Sequence, residues 1–357
     1  MKINATPFFS FKRILLISSL FLAIIPVSFL SIAIGAYNLP ISDVVKCLLN
    51  PHGENPAIIA YTIVWFYRIP RTIGALITGA VLAVAGALIQ GITRNPLASP
   101  FTLGVSSAAS FGAGLVIIAG VKLALLPQVF LQTPEGYMII TLAAFTICFL
   151  HTLLILTLLF IKGFSPESIV LAGIAMAYMY SAGITFLEYF AGESSLKEYI
   201  FWIMGDLTRV NWGKIYFLLA TLLITILAVY LFAWDLNALS LGDDVAKSLG
   251  VDPRKLRFKV AFMASLTTAT VISITGPIPF ICIMAPHIAR LIIGSDNRYL
   301  LPTSIAIGSI LLTISDIIAR TALKPIELPV GAVTNALGAS FFISMYMSIK
   351  KGKVMSI

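Results

Sequence analysis

Hydrophobic residues arrive in this chain in unbroken blocks, each roughly 17 to 25 long, the length that crosses a ~30 Å hydrocarbon core as a helix. A soluble protein of 357 residues would alternate apolar and polar faces instead of sustaining such runs. The blocks predict an all-α polytopic membrane protein with ten transmembrane helices in a compact bundle. They lie near 14–36, 70–92, 101–121, 137–161, 168–190, 213–234, 259–276, 278–293, 300–318 and 328–349, within one transmembrane domain over residues 1–357. The block from Lys259 to Gly294 is too long for one span, and Gly276-Pro277-Ile278-Pro279 divides it. Proline lacks the amide donor and bars αR to the residue before it. One span plus a re-entrant segment fits the same pattern. The first block exceeds the roughly 7–15 apolar residues of a signal peptide and is followed by further spans, which predicts an uncleaved first helix.

An even number of spans puts both termini on one side. With both tails inside, 15 Lys and Arg lie inside and 9 outside, together the 24 of the chain, as the positive-inside rule requires. Membrane orientation thus accounts for the net charge of +9, and no interleaving of basic and aromatic residues points to nucleic acid. Cys47, Cys148 and Cys282 are scattered singly, without metal or disulfide spacing, and read as structural filler. Small residues recur every fourth position at Ala75, Gly79, Ala83, Ala87 and Gly91, at Gly104, Ala108 and Gly112, and at Gly173, Ala177 and Ser181. Such stripes let helix backbones approach closely in lipid. Ionisable groups gather at span ends; His151 and Glu188 are the nearest exceptions, and His151 reads as a structural, hydrogen-bonded residue.

One compact island of charge interrupts this pattern, "ALSLGDDVAKSLGVDPRKLR" at residues 238–257. Leu241, Val245 and Leu249, four apart, give a short helix one apolar edge. Asp243 and Asp244 after Gly242 suit its first turn and Lys247 its last. Gly250 is a natural stop. Asp252 and Pro253 then read as the cap and first residue of a second helix that carries Arg254, Lys255 and Arg257. Two capped helices with a tight break predict a rigid knob on the inner face. A solvated loop would need neither the caps nor the apolar edge, whereas a docking surface for another protein needs both.

At these residues the chain resembles the permease subunits of type II ABC importers for iron–siderophore, haem and cobalamin, the FecCD-type permeases. The island looks like that family's coupling helices. "RIPRTIGALITGAVLAVAGALIQGITRNPLASPFTLGVSS" from Arg68 is similar to the family's longest signature, and "FWIMGDL" followed by Trp212 to its Trp-Gly-Trp segment. "GPIPFICIMAPHIARLIIGSDNRYLLP" and "DIIARTALKPIELPVGAVTNALGASFF" follow in the family's order. The likeness covers about residues 60 to 349 and implies ten transmembrane helices per subunit. Asp206 stands where the family usually has Ser, Pro279 where it usually has Gly, and Asn297 where it often has His.

No G-x-x-x-x-G-K-[ST] phosphate loop occurs in the chain, so this subunit does not cradle ATP, and no catalytic constellation, cofactor motif or metal-ligand cluster is legible. By physics alone, Arg68, Arg71 and Arg320 at outer helix ends are topology exceptions or headgroup anchors. The resemblance implies that they pair with glutamates of an extracellular substrate-binding protein, a task for which arginine's planar fork is suited. It further implies narrow gates at Asn95-Pro96-Leu97 and Ser165-Pro166-Glu167. The implied partners are a second copy of the chain, two cytoplasmic ATP-binding subunits, the binding protein and membrane lipid. The expected function is translocation of an iron(III) complex or a cobalamin-like cargo by alternating access, driven by the separate ATPases. An ion-gradient-driven secondary transporter is the alternative, disfavoured by the lack of midplane acids.

Overall fold

The computed structural model describes residues 11–49 and 58–349. The chain enters through α1 (Phe11–Ala33) and the short α2 (Ile41–Leu49). Next comes α3 (Ile58–Thr62), which passes through the π-helical turns of Ile63–Arg68 directly into α4 (Ile69–Thr93). The π segment shifts the helical register and so re-aims Arg68 relative to Arg71. A run of turns leads to α5 (Val105–Gly114), extended by a second π segment to Gly120, then α6 (Gln128–Leu131), α7 (Pro134–Lys162), α8 (Pro166–Tyr189) and α9 (Glu193–Ile203). The remainder comprises α10 (Trp212–Ser240), α11 (Asp243–Ser248), α12 (Pro253–Thr275), α13 (Ile281–Ile293), α14 (Asn297–Thr321) and α15 (Val330–Ile349). No β-strand forms among the described residues.

Among the described residues eight helices are long and apolar enough to cross a membrane, while Val105–Gly120 and Ile281–Ile293 are apolar but shorter. Each expected block falls on one of these ten, with shifted edges. The second extends upstream as Ile59–Thr93, and the third begins at Val105, because Asn95 to Gly104 form turns closed by Ser99 and Thr102. Helix starts are fixed by residues with a mechanism. Thr133, Ser165 and Asp252 each accept a backbone N–H ahead of a proline at the first helical position. The α2 and α9 helices lie in stretches where no span was expected, since both are too short and polar to give a transmembrane signal.

The core is built around α4, which is buried along nearly its whole length. The small-residue stripes are its contact faces. A methyl group added at Gly79 would strike the Gly308 carbonyl on α14, and one at Gly86 the Cys282 carbonyl on α13. Likewise Gly112 lies against the Ala143 carbonyl, and Gly173 against that of Thr102. Backbone therefore meets backbone, which supplies dispersion contact where the hydrophobic effect is absent. The three cysteines are buried and free. His151 is buried, with Nε2 2.9 Å from the Leu103 carbonyl and its ring edge-on to Tyr180, as befits a structural residue.

At one end of the bundle three segments knot together. The chain leaves α12 at Gly276 (φ +71°) and re-enters helix only at Ile281, so the long apolar block is indeed divided at Gly276-Pro277. Gly276 is seated on the Trp202 carbonyl, Gly205 (φ +72°) on that of Pro277, and Gly331 on that of Met204. Both positive φ values and the missing Cβ atoms require glycine there. The Asp206 N–H closes the knot on the Thr275 carbonyl at 2.7 Å.

Candidate functional site

The charged island folds as one short helix, α11, and the first turns of α12: the second short helix expected at Asp252-Pro253 is instead the unbroken start of the long helix Pro253–Thr275. Gly242 (φ +117°) and Gly250 (φ +85°) make the breaks. The Asp252 carboxylate accepts the Arg254 and Lys255 amides at 3.0 and 3.2 Å, capping α12. Only Ala246 of α11 is buried. Leu241, Val245 and Leu249, the apolar edge, are exposed, and so is Asp244. The edge is a presented surface, not a packing stripe.

Asp243 points the other way. Its two oxygens accept from Arg257 Nη1 and Nη2 at 2.7 and 2.8 Å, a bidentate pair, and Oδ1 also accepts from Arg94. Arg257 is buried and its Nε donates to the Ile92 carbonyl at 3.1 Å. Arg94, in the left-handed conformation that ends α4, donates to the Leu239 carbonyl at 2.7 Å. The hydrogen bonds from Arg257, helped by the charges of both arginines, hold the Asp243 carboxyl below its ordinary range.

Residues flanking both expected gate turns contact this hairpin or the start of α12. Asn95-Pro96-Leu97 follows Arg94 immediately, and the Asn95 side chain closes the turn on the Leu97 amide at 2.9 Å. On the other side Arg254 donates to the Phe160 carbonyl at 2.7 Å and lies over the Phe160 ring. Phe258 meets Phe164 edge-on, just before Ser165-Pro166-Glu167. Ser165 caps α8 through the Ser168 amide at 3.1 Å, and Glu167 is exposed. No hydrogen bond joins the two turns directly among the described residues; the hairpin is what they share.

Arg68, Arg71 and Arg320 gather at the opposite end of α4, as expected, but they are not displayed to solvent. They are 4%, 7% and 2% exposed. Arg68 donates to the carbonyls of Ile32, Ala33 and Tyr37 at 2.8, 2.8 and 2.5 Å. Arg71 Nε pairs with Asp316 at 2.9 Å and its Nη1 with Glu327 at 2.5 Å. Arg320 Nε lies 3.0 Å from Asp316, while its Nη1 and Nη2 reach the carbonyl and hydroxyl of Ser31. The three guanidinium groups line a cavity of about 390 Å³ that also includes Tyr37, Asn211 and Glu327. Asp316 and Glu327 were missed in the sequence, although the Asp316–Arg320 spacing of four on a helix was a usable signal.

The departures from the family pattern have local roles. Asp206 accepts from the Thr208 amide at 2.8 Å and from its hydroxyl. Asn297 donates through its amide and side chain to Asn237. The Pro279 carbonyl accepts the Ile281 amide at the start of α13. Among the described residues no group of His, Cys, Asp and Glu is arranged to hold a metal ion.

Residues 21–348 match the model of the FecCD transport family. The chain is similar to a protein of Methanocaldococcus jannaschii described as an ABC transporter permease, 38% identical over 342 residues, 95% of this chain and 94% of that one. It is similar to the Fe(3+)-citrate import system permease protein of Bacillus subtilis, 34% identical over 93% of this chain and 94% of the relative. Among solved structures it resembles a metal-chelate type ABC transporter in an inward-facing conformation. The TM-score is 0.79 and the identity 27%, covering 93% of this chain and 99% of that one.

Proposed function

Because this chain belongs to the FecCD transport family, we propose that it carries a bulky metal chelate across the cytoplasmic membrane as one of two identical permease subunits. The family fixes the coarser statement: it is a permease of the type II ABC importers, it is not itself an enzyme, and ATP hydrolysis belongs to separate subunits. Relatives move ferric citrate, haemin and vitamin B12. An iron(III) complex, haem or a cobalamin-like corrinoid is accordingly the proposed cargo class.

The observation that carries this reading is the hairpin. Leu241, Val245 and Leu249 offer an apolar edge beside the exposed Asp244, the composition of a docking face. Behind that edge, Asp243 and Arg254 fasten the hairpin to the ends of α4 and α7. In our reading an ATPase seats on the edge at the cytoplasmic side, and nucleotide-driven closure moves the hairpin as a solid piece. Through Arg94 the movement reaches Asn95-Pro96-Leu97, and through Arg254 and Phe258 it reaches Ser165-Pro166-Glu167. These two turns act as the inner gate. ATP exerts its effect by binding one of the two conformations more tightly than the other.

At the other end the cavity above Arg68, Arg71 and Arg320 is the proposed seat for acidic side chains of the substrate-binding protein. Buried guanidinium groups at a cavity floor select a carboxylate that reaches inward, since a bidentate, desolvated pair outweighs a screened surface one. The dimer is proposed to form along α8 and α15, both of which leave large apolar side chains uncovered, among them Leu171, Tyr178, Phe186 and Ile343.

Purification from membranes in mild detergent tests the whole. A P-loop ATPase should come with the permease in equal copy number, and proteoliposomes of the complex with binding protein should accumulate cargo only with ATP inside the compartment facing the hairpin. Uptake driven by a proton or sodium gradient without ATP would overturn the proposal.

A further inference from the structure

The two acids on Arg71 are not equivalent. Asp316 lies on α14, fully buried, and is shared with Arg320 four residues on. Glu327 stands on the turn between α14 and α15 with 35% of its side chain exposed, and it borders the cavity that opens above the arginines. One partner is built in, and the other borders an open cavity.

We propose that Glu327 is an internal stand-in for the docking carboxylate: it occupies Arg71 Nη1 in the free permease and is displaced when an acidic side chain of the binding protein enters the cavity. This rests on the docking role proposed above and extends it to the permease's own acid. The exchange keeps Arg71 paired before and after docking. That matters because Asp316 holds only Nε and the buried Nη1 would otherwise lose its acceptor, whereas trading one carboxylate for another leaves the charge balance unchanged.

The position of Glu327 lets the exchange proceed beside a fixed helix start. Only Leu328 and Pro329 separate it from α15. The Leu328 amide is tied to the Ala319 carbonyl at 2.9 Å, and Gly331 is seated in the knot against Met204. Glu327 is thus the first residue outside a segment held at both Leu328 and Gly331, so its side chain can be displaced without unseating the start of α15.

The test measures binding of the importer's own substrate-binding protein to the intact permease–ATPase complex in nanodiscs, at two salt concentrations. Glu327→Gln removes the competitor and should tighten docking about twofold to fivefold, the size expected for a partly exposed pair. Its salt dependence should steepen, because docking then neutralises a positive charge that Glu327 had covered. Arg71→Lys keeps the charge but loses the fork, and should weaken docking at least tenfold. If Arg71→Lys weakens docking while Glu327→Gln leaves it unchanged or weakens it, the exchange is overturned and the docking role stands. If Arg71→Lys leaves docking unchanged, the docking role itself falls, and the exchange with it.

Discussion

Asp243 on the exposed hairpin is held by two arginines from different parts of the chain, Arg257 of its own hairpin and Arg94 at the end of α4. Asp244, the next residue, touches neither and projects into solvent. Two adjacent aspartates therefore have separate tasks, one fastening the hairpin and the other facing outward.

Replacing Asp243 with Asn should expose the difference. It leaves the buried Arg257 with only neutral acceptors, one amide oxygen and the Ile92 carbonyl, and should cost about 1–3 kcal/mol because Asp243 itself is partly solvated. Thermal unfolding of the purified complex and cargo uptake should both fall. Asp244→Asn should leave stability within about 0.5 kcal/mol. The pH dependence has a definite sign. A carboxyl whose folded value is depressed contributes fully above its ordinary value of 3.8 and loses that contribution as pH falls through the lower folded value. Hydrogen exchange in α11 should accordingly be protected at neutral pH and lose protection only under strong acid. Equal protection in Asp243→Asn and the parent at pH 7 would refute the tie.

The apolar edge predicts a binding defect without a folding defect. Leu249→Asp places charge on a residue that is already exposed, so stability should move by no more than about 0.5 kcal/mol. Retention of the ATPase during purification should drop at least tenfold. Full retention would show that the edge is not the docking face.

Asp316 should be the least tolerant acid in the chain. It is fully buried and serves Arg71 and Arg320 together. Asp316→Asn removes the buried negative charge that the two guanidinium groups share, leaving Arg71 with Glu327 and Arg320 with only uncharged acceptors, at a cost of about 3–5 kcal/mol. The variant should accumulate poorly in membranes and lose its thermal transition at temperatures the parent survives. Parent-like accumulation and melting would refute the buried network.

Gly276 tests the knot. Alanine there must adopt φ +71° and would strike the Trp202 carbonyl, so Gly276→Ala should destabilise by about 2–4 kcal/mol. A control at Gly192, where an added methyl group meets nothing, should be neutral in the same melting assay.

The sequence was most legible where chemistry is local. Apolar block length located the helices, Gly276-Pro277 the break in the longest block, and Asp252-Pro253 a cap that folds as expected. Reading the hairpin as rigid rested on caps that are also present. Distance in the chain is what hid the rest. Arg71 meets Asp316 and Glu327 across 245 and 256 residues, so local spacing could show three outer arginines but not that they are buried and already paired. The spacing of Leu241, Val245 and Leu249 showed an apolar edge but not whether it faces the protein or the water. The α2 and α9 helices went unseen because length and polarity, the signals that reveal a span, are absent from them.

The three glycines that bring the ends of α9 and α12 and the start of α15 together also limit how that end of the bundle can yield. With main chain resting on main chain, no side-chain rotation is available to absorb a displacement. The three helix ends are therefore expected to shift as a single unit or not at all.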